Sequence, residues 1–190
     1  MSNETTQDAA TGRIGVLVLG LGNVLLADDG LGPAAVARVE RDYRIPPEIR
    51  LEDGGTLGLA LLGLIADSDR VILVDAVRAD APPGTLVRLD GTAVMDATRD
   101  RLSPHQVGVA DLLDAARLIG SYPATVTLLG LVPGALDLAV VRSRAVGDGL
   151  DALVLAIVRE VENFGFKMVH EPEVAGRHRP IHNLARHFGM

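Results

Sequence analysis

The chain has 190 residues, 48% of them hydrophobic but only 3% aromatic, and a formal net charge of −7. That length predicts one domain with a core built from Leu, Val, Ile and Ala, and the negative charge argues against nucleic acid or an anionic membrane as partner. The lack of Cys excludes disulfides, thiolate metal sites and a cysteine nucleophile.

Residues 1–12 are polar, without the apolar segment of a signal peptide, and read as a flexible N-terminus. No apolar run approaches the roughly 18 residues that span a bilayer, so a cytoplasmic protein is expected. Val16 to Leu19 is a short unbroken apolar run, the pattern of a strand buried on both faces. Gly20 and Gly22 then read as a sharp turn, Asp28 and Asp29 follow, and Pro33 suits the first turn of a helix. Val36, Val39 and Tyr43 recur at helical spacing with charged residues between them, and Pro46-Pro47 blocks continuation.

Residues 48–52 predict a short strand, 53–56 a turn, and 57–66 a helix weakened by Gly58 and Gly63. A clear strand runs over 70–77 and ends near Asp75, and after the Pro82-Pro83-Gly84 turn 85–89 is extended. Residues 90–102 are polar and read as irregular. Ser103-Pro-His-Gln106 is a capping box with Pro in the first turn, and Val109, Leu112, Leu113, Ala116 and Ile119 form the apolar stripe of the helix it starts. Another buried strand covers 125–130, and a last helix runs from about Val146 to Phe164.

Strands alternate with helices throughout, which predicts an α/β fold with a mostly parallel, twisted sheet covered by helices on both faces, a three-layer αβα sandwich. The domain is expected over 13–166. Residues 167–190, with His170, His178, His182 and His187, read as a mobile polar tail.

In a parallel sheet, Asp29 after the first strand, Asp75 at the end of a central strand and His105 at a helix start all fall at the carboxyl edge, where α/β proteins build sites. Two carboxylates and an imidazole suit a divalent first-row metal without choosing among nickel, zinc, iron and manganese. The positive end of the helix dipole also favours the neutral, metal-binding imidazole. Each residue has a plainer reading: Asp75 as a cap, Asp28 and Asp29 as dipole partners, His105 as a surface residue. A dinucleotide fingerprint is disfavoured by Leu25 at its third glycine position and by two carboxylates beside the turn. Walker, Gly-x-Ser-x-Gly and His-Glu-x-x-His motifs are absent, and Lys167 is the only lysine, so no protein nucleophile presents itself.

At these residues the chain resembles the nickel–iron hydrogenase maturation endopeptidases, from about Val16 to Phe164. The resemblance is carried by Leu19-Gly-Leu-Gly-Asn-Val-Leu-Leu-Ala-Asp-Asp-Gly-Leu-Gly32, Leu51-Glu-Asp-Gly-Gly-Thr56, Val71-Ile-Leu-Val-Asp-Ala-Val77 and Leu102-Ser-Pro-His-Gln-Val-Gly108. It implies a twisted parallel-type sheet between helices, and removal of a carboxy-terminal peptide from a hydrogenase large-subunit precursor after nickel insertion. It further implies that Asp29, Asp75 and His105 contact nickel, supplied by the precursor. Family members often carry Glu at the position of Asp29, one methylene longer, which leaves Asp28 as a possible accessory carboxylate. Asp53, Gly54, Gly55 and Thr56 are implied to lie beside the cleft and help select substrate. The expected partner is the precursor, engaged transiently by a monomer. A nickel-delivery or proofreading protein that binds the precursor without cutting it is the alternative, and a nucleotide-binding α/β module a distant third.

Overall fold

The computed structural model describes residues 13–99 and 105–171. In chain order the first elements are β1 (Ile14–Leu21), α1 (Leu31–Asp42), β2 (Tyr43–Arg44), β3 (Ile49–Gly55), α2 (Leu62–Ala66) and β4 (Ser68–Ala76). They are followed by β5 (Leu86–Asp90), α3 (Thr92–Arg99), α4 (His105–Leu118), β6 (Thr125–Leu131), α5 (Arg144–Asn163) and β7 (Val169–His170).

Five strands form one sheet in the order β3-β1-β4-β6-β5, parallel except for the β5 edge. The side chains of β1 alternate: Val16 and Val18 pack in one core, Leu17, Leu19 and Leu21 in the other. β4 repeats this, with Ile72 and Val74 on the first side and Val71 and Leu73 on the second. Helices α1 and α5 cover the first face through Val36, Val39, Leu153, Ile157 and Val161. The second is covered from α2, α3 and α4, with Ile65, Val94, Leu112 and Leu113 inside. The expected αβα sandwich is therefore present, and covering both faces is why its central strands are apolar without alternation.

Four local expectations change. Residues 92–99 form α3 rather than an irregular stretch, because Val94 and Met95 are buried in the second core, whose other members come from distant segments. The stripe of α4 stops at Ala116, since the helix ends at Leu118 and Ile119 is exposed. Strand β3 runs on through Gly55, where a turn was expected. The fold also reaches past 166. Met168 is buried, β7 pairs antiparallel with β2, and Arg44 meets Glu171 at 3.2 Å. His170 is thereby taken out of the expected tail, its ring edge-on to Tyr43 at 5.1 Å. Residues 1–12, the Ser103 cap, His178, His182 and His187 lie outside the described residues.

The chain leaves β1 toward β3 on one side, then crosses back to β4 on the other. Adjacent strands whose connections depart in opposite directions leave a crevice at their carboxyl ends, the usual ligand position in open α/β sheets. Here the crevice lies between the ends of β1 and β4.

Candidate active site

Glycines close the floor of this crevice. A Cβ on Gly32, in the first turn of α1, would lie 2.3 Å from both the Leu21 and the Val74 carbonyl oxygens. A Cβ on Gly20 would lie 2.6 Å from the Gly32 carbonyl oxygen. Gly20 is thus a strand residue whose missing side chain lets the helix start press on the sheet, not the turn residue its sequence suggests. The turn belongs to Gly22, whose φ of +121° disfavours any side chain.

Asp29 lies in a 3₁₀ turn, Ala27–Gly30, between β1 and α1 and is fully buried. The Asn23 N–H donates to its Oδ2 at 2.9 Å, and the Leu25 N–H donates to the Asn23 side-chain oxygen at 3.0 Å. Asp75 is 4% exposed at the end of β4, where its Oδ1 accepts the Ala76 N–H at 2.7 Å. Gly22 stands between the two: a Cβ there would lie 1.8 Å from the Asp29 carbonyl oxygen and 3.7 Å from Asp75 Oδ1. Gly22 thus sits at the switch point between the main chain of Asp29 and the carboxylate of Asp75.

His105 is the first residue of α4, and its side chain lies outside the described residues. The helix start packs against the turn that follows β3. A Cβ on Gly108, in the first turn, would lie 3.0 Å from the Gly58 Cα, just past the end of β3. Among the described residues no group of three His, Asp or Glu side chains is arranged to hold a metal.

The 53–56 segment borders the same edge. Gly20 pairs with Asp53 and Leu21 with Gly55, leaving Gly54 as the extra residue of a bulge. Asp53 is exposed, and its carboxylate accepts the Gly55 N–H at 3.0 Å. The Gly22 N–H donates to the Gly55 carbonyl at 3.0 Å, which ties this turn to the one beside Asp29. Gly55 and Gly58, with φ of +47° and +52°, need glycine for the chain to turn here.

Asp28 has a different environment. It too is fully buried, but its Oδ2 accepts the N–H groups of Gly134 and Ala135, each at 2.8 Å, and its Oδ1 that of Ser143 at 2.7 Å. Burial pushes its pKa up, but hydrogen bonds from the Ser143 side chain and from the Ala135, Ser143 and Gly134 amides outweigh this and hold it below the ordinary value of 3.8. The same loop is tied to Leu25–Asp28 by the backbone: Ala139 N–H to the Leu25 carbonyl at 3.0 Å, and Ala27 N–H to the Ala139 carbonyl at 2.6 Å. Sequence reasoning had no local signal for this clamp, whose partners lie 106 to 115 residues away.

An open, mostly parallel α/β sheet with two buried aspartates at its switch point defines a protein that acts on a ligand or substrate at that edge. The comparisons narrow the class. The family model for hydrogenase maturation proteases matches residues 33–160. The hydrogenase 2 maturation protease of Escherichia coli K12 is 40% identical over 123 residues, 64% of this chain and 75% of that protein. The hydrogenase expression/formation protein HupD of Rhodobacter capsulatus is 39% identical over 157 residues, 80% of this chain and 74% of that protein. The solved structure of the hydrogenase maturating endopeptidase HybD from Escherichia coli superposes with a TM-score of 0.79 at 33% identity, over 82% of this chain and 97% of that one. The chain belongs to the hydrogenase maturation protease family.

Proposed function

We propose that this protein is the endopeptidase that trims the carboxy-terminal extension of a nickel–iron hydrogenase large-subunit precursor once nickel is in place. The observation that carries this reading is the pair of buried aspartates at the switch point of a chain from this family, Asp29 with its main chain and Asp75 with its carboxylate against Gly22.

Asp29, Asp75 and His105 are assigned as the residues that meet the nickel of the precursor. Two carboxylates and an imidazole are a donor set that fits a divalent first-row ion, and it leaves coordination positions for the precursor's own ligands. Bound nickel supplies Lewis-acid chemistry to a hydrolytic site. The chain's own part is positional. The Asn23 amide fixes Asp29, the Ala76 amide fixes Asp75, and the contact of Gly108 with Gly58 fixes where α4 begins. A carboxylate of the pair is suited to accept a proton from attacking water. Asp53, Gly54, Gly55 and Thr56 form the wall over which the precursor chain passes. Asp28 is assigned to holding the loop, since its oxygens are occupied by three amides.

The test is to incubate the protein with nickel-loaded and nickel-free precursor and weigh the products, with Asp75→Asn and His105→Ala alongside. Loss of one defined carboxy-terminal peptide from loaded precursor alone, abolished in both variants, is expected. Stable binding without shortening of any loaded precursor would instead establish the non-cleaving nickel-delivery role.

A further inference from the structure

Beside this site the surface departs from what a soluble domain usually presents. Val24 and Leu25 are 52% and 54% exposed, and Leu138, Val140 and Val141 are 82%, 72% and 81% exposed. The five lie on two segments far apart in sequence that the fold joins. Leu26 and Ala139 form a parallel bridge, so Leu25 and Leu138 each stand one residue before it, side by side. Contiguous exposed aliphatic surface on a folded domain marks an interaction site, whereas single exposed aliphatics do not.

The backbone beneath these side chains is fixed. The loop carrying Leu138, Val140 and Val141 is pinned at both ends by the Asp28 carboxylate, through Gly134 and Ala135 on one side and Ser143 on the other. Its middle is pinned by the paired Ala27 and Ala139 hydrogen bonds. A preorganised surface loses little entropy when a partner covers it. The strip is also continuous with the crevice. Val24 follows Asn23, whose amide holds Asp29, and Leu25 donates its N–H to the Asn23 side chain. Val24 and Leu25 thus border the turn whose Asn23 amide holds Asp29.

We propose that Val24, Leu25, Leu138, Val140 and Val141 form a docking strip for an aliphatic stretch of the large-subunit precursor next to its cleavage point. The proposal rests on the proteolytic reading above and adds to it the chemistry by which the client is held. The strip contributes to binding and not to bond cleavage, since it offers no titratable group.

The experiment measures cleavage rate against concentration of nickel-loaded precursor for wild type, for Leu138→Ser/Val140→Ser, and for the control Leu118→Ser/Ile119→Ser. The control removes equally exposed aliphatics at the end of α4. The strip variant is expected to raise the half-saturating precursor concentration at least tenfold, with turnover at saturation within twofold of wild type and an unchanged unfolding temperature. The control is expected to match wild type. Equal half-saturation for wild type and strip variant, with wild type active, overturns the docking strip and leaves the protease reading standing. Equal loss in both double variants also overturns it. An inactive wild type refutes the proteolytic reading itself, and precursor binding by the same three proteins then decides the strip. Light scattering is run in parallel, and a wild-type dimer that the strip variant alone abolishes would assign the strip to a second copy of the chain instead.

Discussion

The clamp made by Asp28 lends itself to a decisive substitution, Asp28→Asn, which keeps the volume and removes the charge. Three amide donors reach the carboxylate at 2.7 to 2.8 Å. Hydrogen bonds to a charged acceptor contribute about 1.5–3 kcal/mol each against about 0.5–1.5 for neutral pairs. In the variant one side-chain oxygen still serves two amides with weaker bonds, a loss of about 1 kcal/mol apiece. The amide nitrogen that replaces the other oxygen faces an N–H donor, and that half-buried donor loses its partner at a cost of about 1–3 kcal/mol. Relief from burying a charge offsets part of this, which leaves a destabilisation of about 2–4 kcal/mol.

A chain of this size shifts by about 2–4 °C per kcal/mol, so the unfolding temperature at pH 7 is expected to drop on the order of 8 °C. The sign of the pH dependence follows from the lowered pKa of Asp28. The stabilisation is complete above the ordinary value of 3.8, and it is lost as pH falls through the lower folded-state value. The gap between wild type and variant should therefore hold from pH 7 to about 5 and close only in stronger acid. Calorimetry across that range is the assay. A variant that melts within 1 °C of wild type at pH 7 would refute the clamp. Loss of cleavage without loss of stability would return Asp28 to the catalytic set.

Three further outcomes are expected. Arg88 reaches the buried Glu160 with two nitrogens, at 2.9 and 3.1 Å, so Arg88→Met removes both charged donors, leaves that carboxylate the Thr127 hydroxyl at 3.2 Å, and should cost about 1–3 kcal/mol in denaturant unfolding without touching cleavage. Asp42, bonded first by Arg41 and then by Arg38, has its pKa lowered from 3.8 to about 2, so its contribution is present above pH 4 and disappears between about 4 and 2. Arg38→Gln/Arg41→Gln should flatten that part of the acid-unfolding curve. Gly32→Ala puts a methyl group against two carbonyl oxygens and should cost about 1–3 kcal/mol or more, and should lower cleavage by tilting α1 away from the strand ends.

How far the sequence betrays this fold depends on whether the cause is local. Strands β1, β4 and β6 are legible because burial on both faces leaves continuous apolar runs. Helix α3 is not, because it is only eight residues long and the core that receives Val94 and Met95 comes from distant segments. The β2–β7 ribbon is still less visible. Two-residue strands carry no pattern, and the pairing joins Tyr43 to His170 across almost the whole domain. Gly20 shows the same limit in a single residue. Its glycine is readable, but its reason is contact with Gly32, which only the folded chain supplies.

The adjacent pair Asp28 and Asp29 takes the matter to the site. The residue pattern places both carboxylates after the first strand without dividing their work, and only the family resemblance singles out Asp29. The division follows from the 3₁₀ turn that carries them. With about three residues per turn, successive side chains leave the axis about a third of a turn apart. One carboxylate accordingly meets the loop amides of Gly134, Ala135 and Ser143, and the next meets the amide of Asn23 at the crevice. Two chemically identical neighbours thus acquire separate tasks, one holding the aliphatic loop and the other held by the Asn23 amide beside Gly22. The consequence is measurable as a dissociation of effects. Asp28→Asn should act through stability and through the docking loop, whereas Asp29→Asn should abolish cleavage while the loop stays clamped. If both substitutions destabilise the chain equally and inactivate it equally, the two carboxylates act as one unit and the separation of roles is wrong.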